Sequence, residues 1–370
     1  MRGGRSCRRR RRRGGVGKVP TLCISARTSI MRRSPPPLFC VSMLAFARAA
    51  GPSPLALMAV GDWGGDSDAV PATAAERAAA AGMSRVATDL NANAVLLLGD
   101  NFYTHGVLTN ESTRFHETFE AIYRTDMFDI PFYVIAGNHD HRGSVSAQMD
   151  YLGSARWRFP SLWYSLPFNF TSTSGALRTV EMLMIDTPTL AGISDDVCDG
   201  CELLGPPDES VAESQWDWIE TRLNASTADF LWVAGHYPIY SAGKDGTTPL
   251  LVRRLLPMLR AAGAHYISGH DHMHEHLLSD GVHMVVTGPG KECCYPASKW
   301  HTVPAGALRF MVSGEKARGP GVGPRPRADM SSGFSSLEFD DAVQLTMYAE
   351  DGTALYAPAP IAPRASRRAA

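Results

Sequence analysis

The feature that most constrains the fold is a short apolar run, closed by glycine and a polar residue, that recurs five times. The runs cover residues 55–60, 94–98, 132–136, 230–234 and 265–268, and they end in Gly61-Asp62, Gly99-Asp100, Gly137-Asn138, Gly235-His236 and Gly269-His270. Apolar runs of this length that end in glycine are typical of buried strands entering a loop. One such pair would be an ordinary turn, but five in order predict strands that deliver polar side chains to one edge.

Segments with helical character lie between these runs. Helices are expected at residues 72–91, 112–123, 210–224 and 250–262, and further strands at 179–185, 284–287, 307–312 and 337–348. Strands that alternate with helices predict an α/β fold. Sites in such folds form beyond the carboxyl ends of the strands, which is where the polar residues fall.

Composition divides the chain into three parts. Residues 51–357 are long and apolar enough to form one large domain, 1–50 form an arginine-rich extension with a signal peptide, and 358–370 form a loose tail. Residues 314–333, rich in glycine, proline and arginine, are expected to form a surface loop.

The signal peptide is expected to begin at Met31, where two arginines precede an apolar stretch at 38–47 that ends in small residues. A transit peptide and an inert tail are the alternatives. Secretory entry would place the protein outside the cell or in a lysosome or vacuole, and the sequons at Asn110, Asn169 and Asn224 fit a glycoprotein. No later apolar stretch is long enough to cross a membrane.

The charge of the chain is unevenly distributed. Residues 1–33 contain 12 Lys and Arg and no Asp or Glu, so the remainder has 24 basic and 37 acidic residues and a net charge of −13. A duplex binder needs a basic surface, so nucleic acid is not expected as a partner of the main domain. Nucleic-acid binding by the arginine-rich extension is the alternative.

Four of the seven cysteines lie beyond the signal segment, and Cys198 and Cys201 form a C-x-x-C pair. A loop disulfide is the favoured interpretation, because secreted proteins oxidise such pairs. A zinc knuckle or redox pair is the alternative, although no second pair has ligand spacing.

Seven oxygen and nitrogen donors cluster at or just after the strand ends: Asp62, Asp100, Tyr103, Asn138, His236, His270 and His272. A donor set without cysteine suits hard or borderline ions such as Fe, Zn or Mn. Two such ions, bridged by a carboxylate such as Asp100, can clamp a phosphate and lower the pKa of a bound water. The pattern therefore indicates phosphoester hydrolysis.

Five motif blocks carry a more specific likeness: GDWGG (61–65), GDNFY (99–103), GNHD (137–140), GHYP (235–238) and GHDH (269–272). In this order they resemble the blocks of the metallophosphoesterase superfamily in its purple acid phosphatase form, and the similarity runs from about residue 55 to about residue 310. The resemblance implies a four-layer α-β-β-α sandwich, over residues 51–357, that is an acid phosphatase acting on phosphate monoesters. A monomer is expected.

The resemblance also implies a role for each donor. Asp62, Asp100, Tyr103 and His272 would hold a ferric ion, and Asp100, Asn138, His236 and His270 a divalent ion (Fe, Zn or Mn). Tyr103 would replace the histidine that relatives with a D-x-H block use, and its charge transfer to iron gives the family its colour. A hydroxide bound to the metals would attack phosphorus.

Substrate and proton-transfer roles fall on neighbouring residues. His139 is expected to bind phosphate and protonate the leaving alkoxide, with a merely structural loop histidine as the alternative. Asp140 and His141 would orient its loop. Lys244 and Asp245 stand where animal tartrate-resistant enzymes often carry a second histidine, so they are candidates for the phosphate or leaving group; solvated loop charges are the alternative.

Two further questions stay open in the sequence. The acidic segment 193–213 aligns with a loop that restrains activity in those animal enzymes, and an ordinary exposed loop is the alternative. The ligand set does not separate a monoesterase from a phosphodiesterase or nucleotide pyrophosphatase. A non-catalytic metal or phosphate binder would be the remaining class.

Overall fold

The strands form two seven-stranded sheets in the computed structural model, which describes residues 53–194, 203–314 and 330–365. The first sheet contains β1 (Leu55–Val60), β2 (Ala94–Leu98), β3 (Phe132–Ile135), β4 (Trp157–Arg158), β12 (Gly333–Phe339), β13 (Val343–Ala349) and β14 (Ala354–Tyr356). The second contains β5 (Tyr164–Thr171), β6 (Leu177–Met184), β7 (Phe230–Ala234), β8 (His265–Ser268), β9 (His274–Ser279), β10 (Val282–Thr287) and β11 (Leu308–Val312).

Each sheet has a parallel centre and antiparallel strands at one side or both. The orders are β14-β13-β12-β1-β2-β3-β4 and β11-β9-β10-β8-β7-β6-β5. Strands β1 to β4 run parallel in the first sheet, and β6, β7, β8 and β10 run parallel in the second.

The helices are α1 (Ala74–Asp89), α2 (Val145–Met149), α3 (Thr187–Ala191), α4 (Glu209–Ala225) and α5 (Pro249–Ala262), with a π-type helix at Phe115–Glu120 and single 3₁₀ turns at Asp140–Arg142 and Trp300–Thr302. Helix α1 begins at a capping box, in which Thr73 Oγ1 accepts from Glu76 N at 3.0 Å and Glu76 Oε2 accepts from Thr73 N at 3.2 Å. Within the described ranges, no helix has both the length and the apolar character to cross a membrane.

Strand β7 shows how the layers pack. Phe230, Trp232 and Ala234 face the core shared with the first sheet, whereas Leu231 and Val233 pack with the apolar faces of α4 and α5. This alternation is what a strand buried on both faces requires. Helix α1 packs on β1 and β12 of the first sheet. The layers are therefore helix, sheet, sheet and helix, which confirms the expected four-layer sandwich.

Two expectations about local structure were wrong. Residues 337–348 form two strands of a hairpin rather than one, because the backbone turns at Asp340, whose N donates to Ala342 O. Residues 112–123 form a short π-type helix rather than a regular α-helix.

The described part of the C-terminal segment, 358–365, differs from a loose tail. Ile361 exchanges two backbone hydrogen bonds with Val343, and Arg364 donates to the carbonyl oxygens of Ser226 and Ala262. The expected signal peptide, the C-x-x-C pair at 198–201 and most of the loop at 314–333 lie outside the described residues.

Candidate metal centre

The carboxyl ends of β1, β2 and β3 meet those of β7 and β8, so donors from both sheets converge. Glycine allows this approach. A Cβ on Gly61 would come within 2.8 Å of Gly269 Cα, and one on Gly99, whose φ is +92°, would come within 2.6 Å of His236 Nδ1. The glycines that ended the apolar runs therefore let the two sheets touch at the site.

One group of donors consists of Asp62, Tyr103 and His272. Tyr103 Oη lies 3.0 Å from both Asp62 Oδ1 and His272 Nε2, and those two atoms are 3.5 Å apart. His272 is oriented from behind, because its Nδ1 lies 2.8 Å from Glu292 Oε1. All three side chains are buried, and we call them the tyrosine cluster.

The other group consists of Asp100, Asn138 and His236. His236 Nε2 lies 2.9 Å from Asn138 Oδ1 and 3.5 Å from Asp100 Oδ1, while its Nδ1 faces Leu98 O at 2.9 Å. The ring of His270 packs beside that of His236, with centroids 5.0 Å apart. We call Asp100, Asn138, His236 and His270 the amide cluster. Donor atoms of Asp62, Asp100 and His236 all lie within 4.8 Å of one another, which links the two clusters.

Three of these donor residues have a left-handed backbone. The φ angles of Asp62, Asp100 and His270 are 57°, 53° and 72°. Such conformations cost about 1–3 kcal/mol each in residues other than glycine and concentrate at functional sites. These conformations occur where each segment leaves its strand for the site, and they accompany the approach of Asp62 and Asp100 to His236.

The chemistry of the donors fits bound cations. Lone pairs that meet at 3.0–3.5 Å repel one another unless a cation or a shared proton lies between them. Asn138 Nδ2 is buried without a hydrogen-bond partner among the described residues. The oxygen is therefore the atom of this amide that faces the other donors.

Protonation in the site reflects the same crowding. Burial would raise the pKa of Asp100, but His236, His139 and His270 outweigh it and lower the pKa to about 2. Burial and the charges of Asp100 and Asp62 raise the pKa of Tyr103 well above its ordinary value, so a cation is needed for it to bind as a phenolate.

His139 lies beside both clusters. Its backbone N donates to Asp100 Oδ1 at 3.0 Å, its Nδ1 lies 2.7 Å from Thr104 O, and its Nε2 is 3.8 Å from Asp100 Oδ2. Because a carbonyl oxygen can only accept, Nδ1 carries a proton; Nε2 is then the nitrogen that accepts a proton in the neutral ring and donates it once the ring is an imidazolium.

Asp140 and His141 orient the surrounding loops. Asp140 is buried and accepts from the backbone N atoms of Gly137 and Asn101 at 2.9 and 3.0 Å, which ties two donor loops together. Burial first, and then Asp100, raise the pKa of Asp140 to about 6. His141 Nε2 lies 2.8 Å from Asp186 Oδ2; burial opposes its protonation, but Asp186 prevails and raises its pKa.

A cavity of about 190 Å³ opens onto the donors, and Lys244 and Asp245 line it. Lys244 Nζ lies 4.8 Å from the centre of the Tyr295 ring. Asp271, which lies between His270 and His272 in the chain, accepts from Asp245 N at 2.9 Å and so holds this loop against the centre.

Sequence reasoning missed four other residues of the cavity wall: Asp66, Thr104, Lys291 and Tyr295. The last two follow β10, which also ends in a glycine, Gly288. The signal that found the other strand ends was therefore present there. In the acidic segment 193–213, residues from Glu209 onward belong to α4, and 195–202 lie outside the described ranges.

Comparison with known proteins gives consistent results. Residues 55–274 match the calcineurin-like phosphoesterase family. Tartrate-resistant acid phosphatase type 5 of Mus musculus is 38% identical over 304 residues, which cover 81% of this chain and 88% of that protein. Purple acid phosphatase 17 of Arabidopsis thaliana is 26% identical over 267 residues, covering 70% and 75%.

Among solved structures, GAP50, the anchor in the inner membrane complex of Plasmodium, matches with a TM-score of 0.68 at 22% identity. The match covers 85% of this chain and 90% of that one. At this identity the likeness supports the fold alone.

Proposed function

This chain belongs to the calcineurin-like phosphoesterase family and is an acid phosphatase, and from that premise we propose that its two donor clusters form a binuclear centre that hydrolyses phosphate monoesters. The observation that carries the proposal is the convergence of both clusters, through Asp62, Asp100 and His236, on one cavity.

The donors favour different ions at the two positions. Asp62, Asp100, Tyr103 and His272 offer hard anionic oxygen and one imidazole, which suits ferric iron. Asp100, Asn138, His236 and His270 suit a divalent ion such as Fe, Zn or Mn. When bound, the ions supply Lewis-acid activation of the attacking water and neutralise phosphate charge.

The protein's own groups complete the reaction. His139, with Nδ1 held by Thr104 O, is placed to donate the Nε2 proton to the leaving alkoxide. Lys244 and Asp245, at the cavity wall, are placed to contact the substrate. Asp140 and His141 keep the donor loops in register. The products are an alcohol and inorganic phosphate.

The setting of the enzyme is also part of the proposal. We place it in the secretory pathway on the basis of the signal-like segment from residue 31, and we propose that it is a monomer. Phosphomonoesters are its expected partners, and nucleic acid is not.

The decisive experiment measures metal content, visible absorption and phosphate release from a monoester near pH 5 on protein that lacks residues 1–49. About two metals per chain with iron, a tyrosinate-to-iron band and acid-optimal turnover are expected. Activity without the band would refute the proposed ferric tyrosinate. Faster cleavage of a diester than of a monoester would refute the monoesterase assignment. Folded protein that binds no metal and shows no turnover would refute the proposed catalytic function.

A further inference from the structure

Lys291 reaches three of the four residues at the proposed iron position. Its backbone N donates to Asp62 O at 2.9 Å, and its Nζ lies 4.5 Å from the centre of the Tyr103 ring. Nζ is also 3.2 Å from Glu292 Oε1, the atom that contacts His272 Nδ1. One residue therefore connects the whole tyrosine cluster, to Asp62 through its backbone, to Tyr103 through its ammonium and to His272 through Glu292.

The ammonium is fixed in this place. The side chain of Lys291 is only 8% exposed, whereas its partners Asp66 and Glu292 are 58% and 51% exposed. The backbone is held as well, because Lys291 O accepts from Thr73 Oγ1 at 2.9 Å at the start of α1. The two carboxylates compensate the burial of the ammonium, and together with the Tyr103 ring they fix where the charge lies.

We propose that Lys291 is a positioning residue for the iron ligands: its ammonium holds the ring of Tyr103 by a cation–π contact and holds His272 through Glu292. The inference rests on the proposed function and deepens it. A cation over the face of an aromatic ring is attracted to it, and more strongly when the ring is anionic. Lys291 thus holds the Tyr103 ring where its oxygen meets Asp62 and His272.

The test compares Lys291→Met with Lys299→Met in the full metal-loaded enzyme. Methionine retains the length of the side chain and removes the charge, and Lys299 lies in the same segment outside the cavity. Without the ammonium the phenolate electrons rise in energy, so the charge-transfer band of Lys291→Met should move to longer wavelength. Iron should also be lost to a chelator about 10- to 100-fold more readily, as for other groups that orient metal ligands. Lys299→Met should match the wild type.

Two further variants protect the test against a folding defect. Asp66→Asn removes an exposed carboxylate that opposes the ammonium, so the band should move the other way, to shorter wavelength. Lys291→Arg keeps the charge and should restore most of the iron retention. Circular dichroism and metal content are measured on every variant.

An unmoved band and unchanged chelation in Lys291→Met with full iron content would overturn the role of Lys291 and leave the centre intact. Wild-type enzyme without iron or without the band would overturn the centre and this inference together. Shifts of the same sign in Lys291→Met and Asp66→Asn would also overturn the inference, because they would report a packing change rather than charge.

Discussion

Replacing His276 with glutamine should make the domain less sensitive to acid. His276 is 2% exposed, its Nδ1 lies 2.9 Å from Tyr356 Oη, and its Nε2 lies 2.9 Å from His283 Nδ1. Burial first, and then His283 and Arg309, lower the pKa of His276 to about 3. Protonation of His276 would therefore place a buried positive charge close to His283 and Arg309.

The magnitude follows from proton linkage. In the unfolded chain the pKa of histidine is about 6.5, so acidification protonates the unfolded state first. The stabilising contribution is therefore fully present above pH 6.5 and is lost as the pH falls towards the folded pKa of about 3. Between pH 7 and pH 5, His276 alone should remove about 2 kcal/mol of unfolding free energy, at 1.36 kcal/mol per pKa unit.

Urea denaturation of wild type and His276→Gln at pH 7 and pH 5 measures this contribution. Any packing defect of the variant affects both pH values, so only the difference between the two matters. The variant should lose about 2 kcal/mol less than the wild type on acidification. His301→Gln, at an exposed position, is the matched control and should follow the wild type. Equal losses in His276→Gln and wild type would refute the reasoning.

Three substitutions in the centre test individual roles. Asp100→Asn should lose both metals and nearly all turnover, since Asp100 belongs to both proposed ligand sets; a variant with two metals and a normal rate would remove the bridge. His139→Ala should keep both metals but lower kcat about 100-fold, a typical loss for a general acid, and single-turnover kinetics with a substrate whose leaving group needs no proton should recover much of the rate. Lys244→Met should raise KM more than it lowers kcat, and steady-state kinetics with unchanged KM would make Lys244 a solvated loop charge.

The strand ends were predictable because the local sequence dictates them. Strands β1, β2, β7 and β8 have the bounds that the apolar runs gave. A strand that is buried on both faces is an uninterrupted apolar run in the sequence. Glycine follows such a run because the backbones of the two sheets approach each other closely there. Donor residues such as Asp62 and His270 follow directly in the chain, so their convergence was predictable too.

The rest could not be predicted from local sequence patterns. The contact between the Lys291 ammonium and the Tyr103 ring depends on how two loops pack. The spacing of apolar residues in the sequence carries no information about that packing. The sequence predicts one strand at 337–348 where the structure has a hairpin, because the turn at Asp340 contains neither glycine nor proline. The first of these features depends on a contact between residues far apart in the sequence, and the second on a short turn that lacks the usual turn residues.

The donors are divided between the two sheets by chemical type. The first sheet supplies the carboxylates, the phenol and the amide, and the second supplies the imidazoles of the centre, so Asn138 and His236, which lie 2.9 Å apart, are separated by 98 positions. During synthesis the oxygen donors leave the ribosome long before any imidazole of the set exists. A nascent or truncated chain that ends before the second sheet therefore contains the oxygen donors without the imidazoles. On the proposed ligand set, the centre is complete only once the second sheet has folded against the first, so metal uptake would be a late step in the biogenesis of the enzyme.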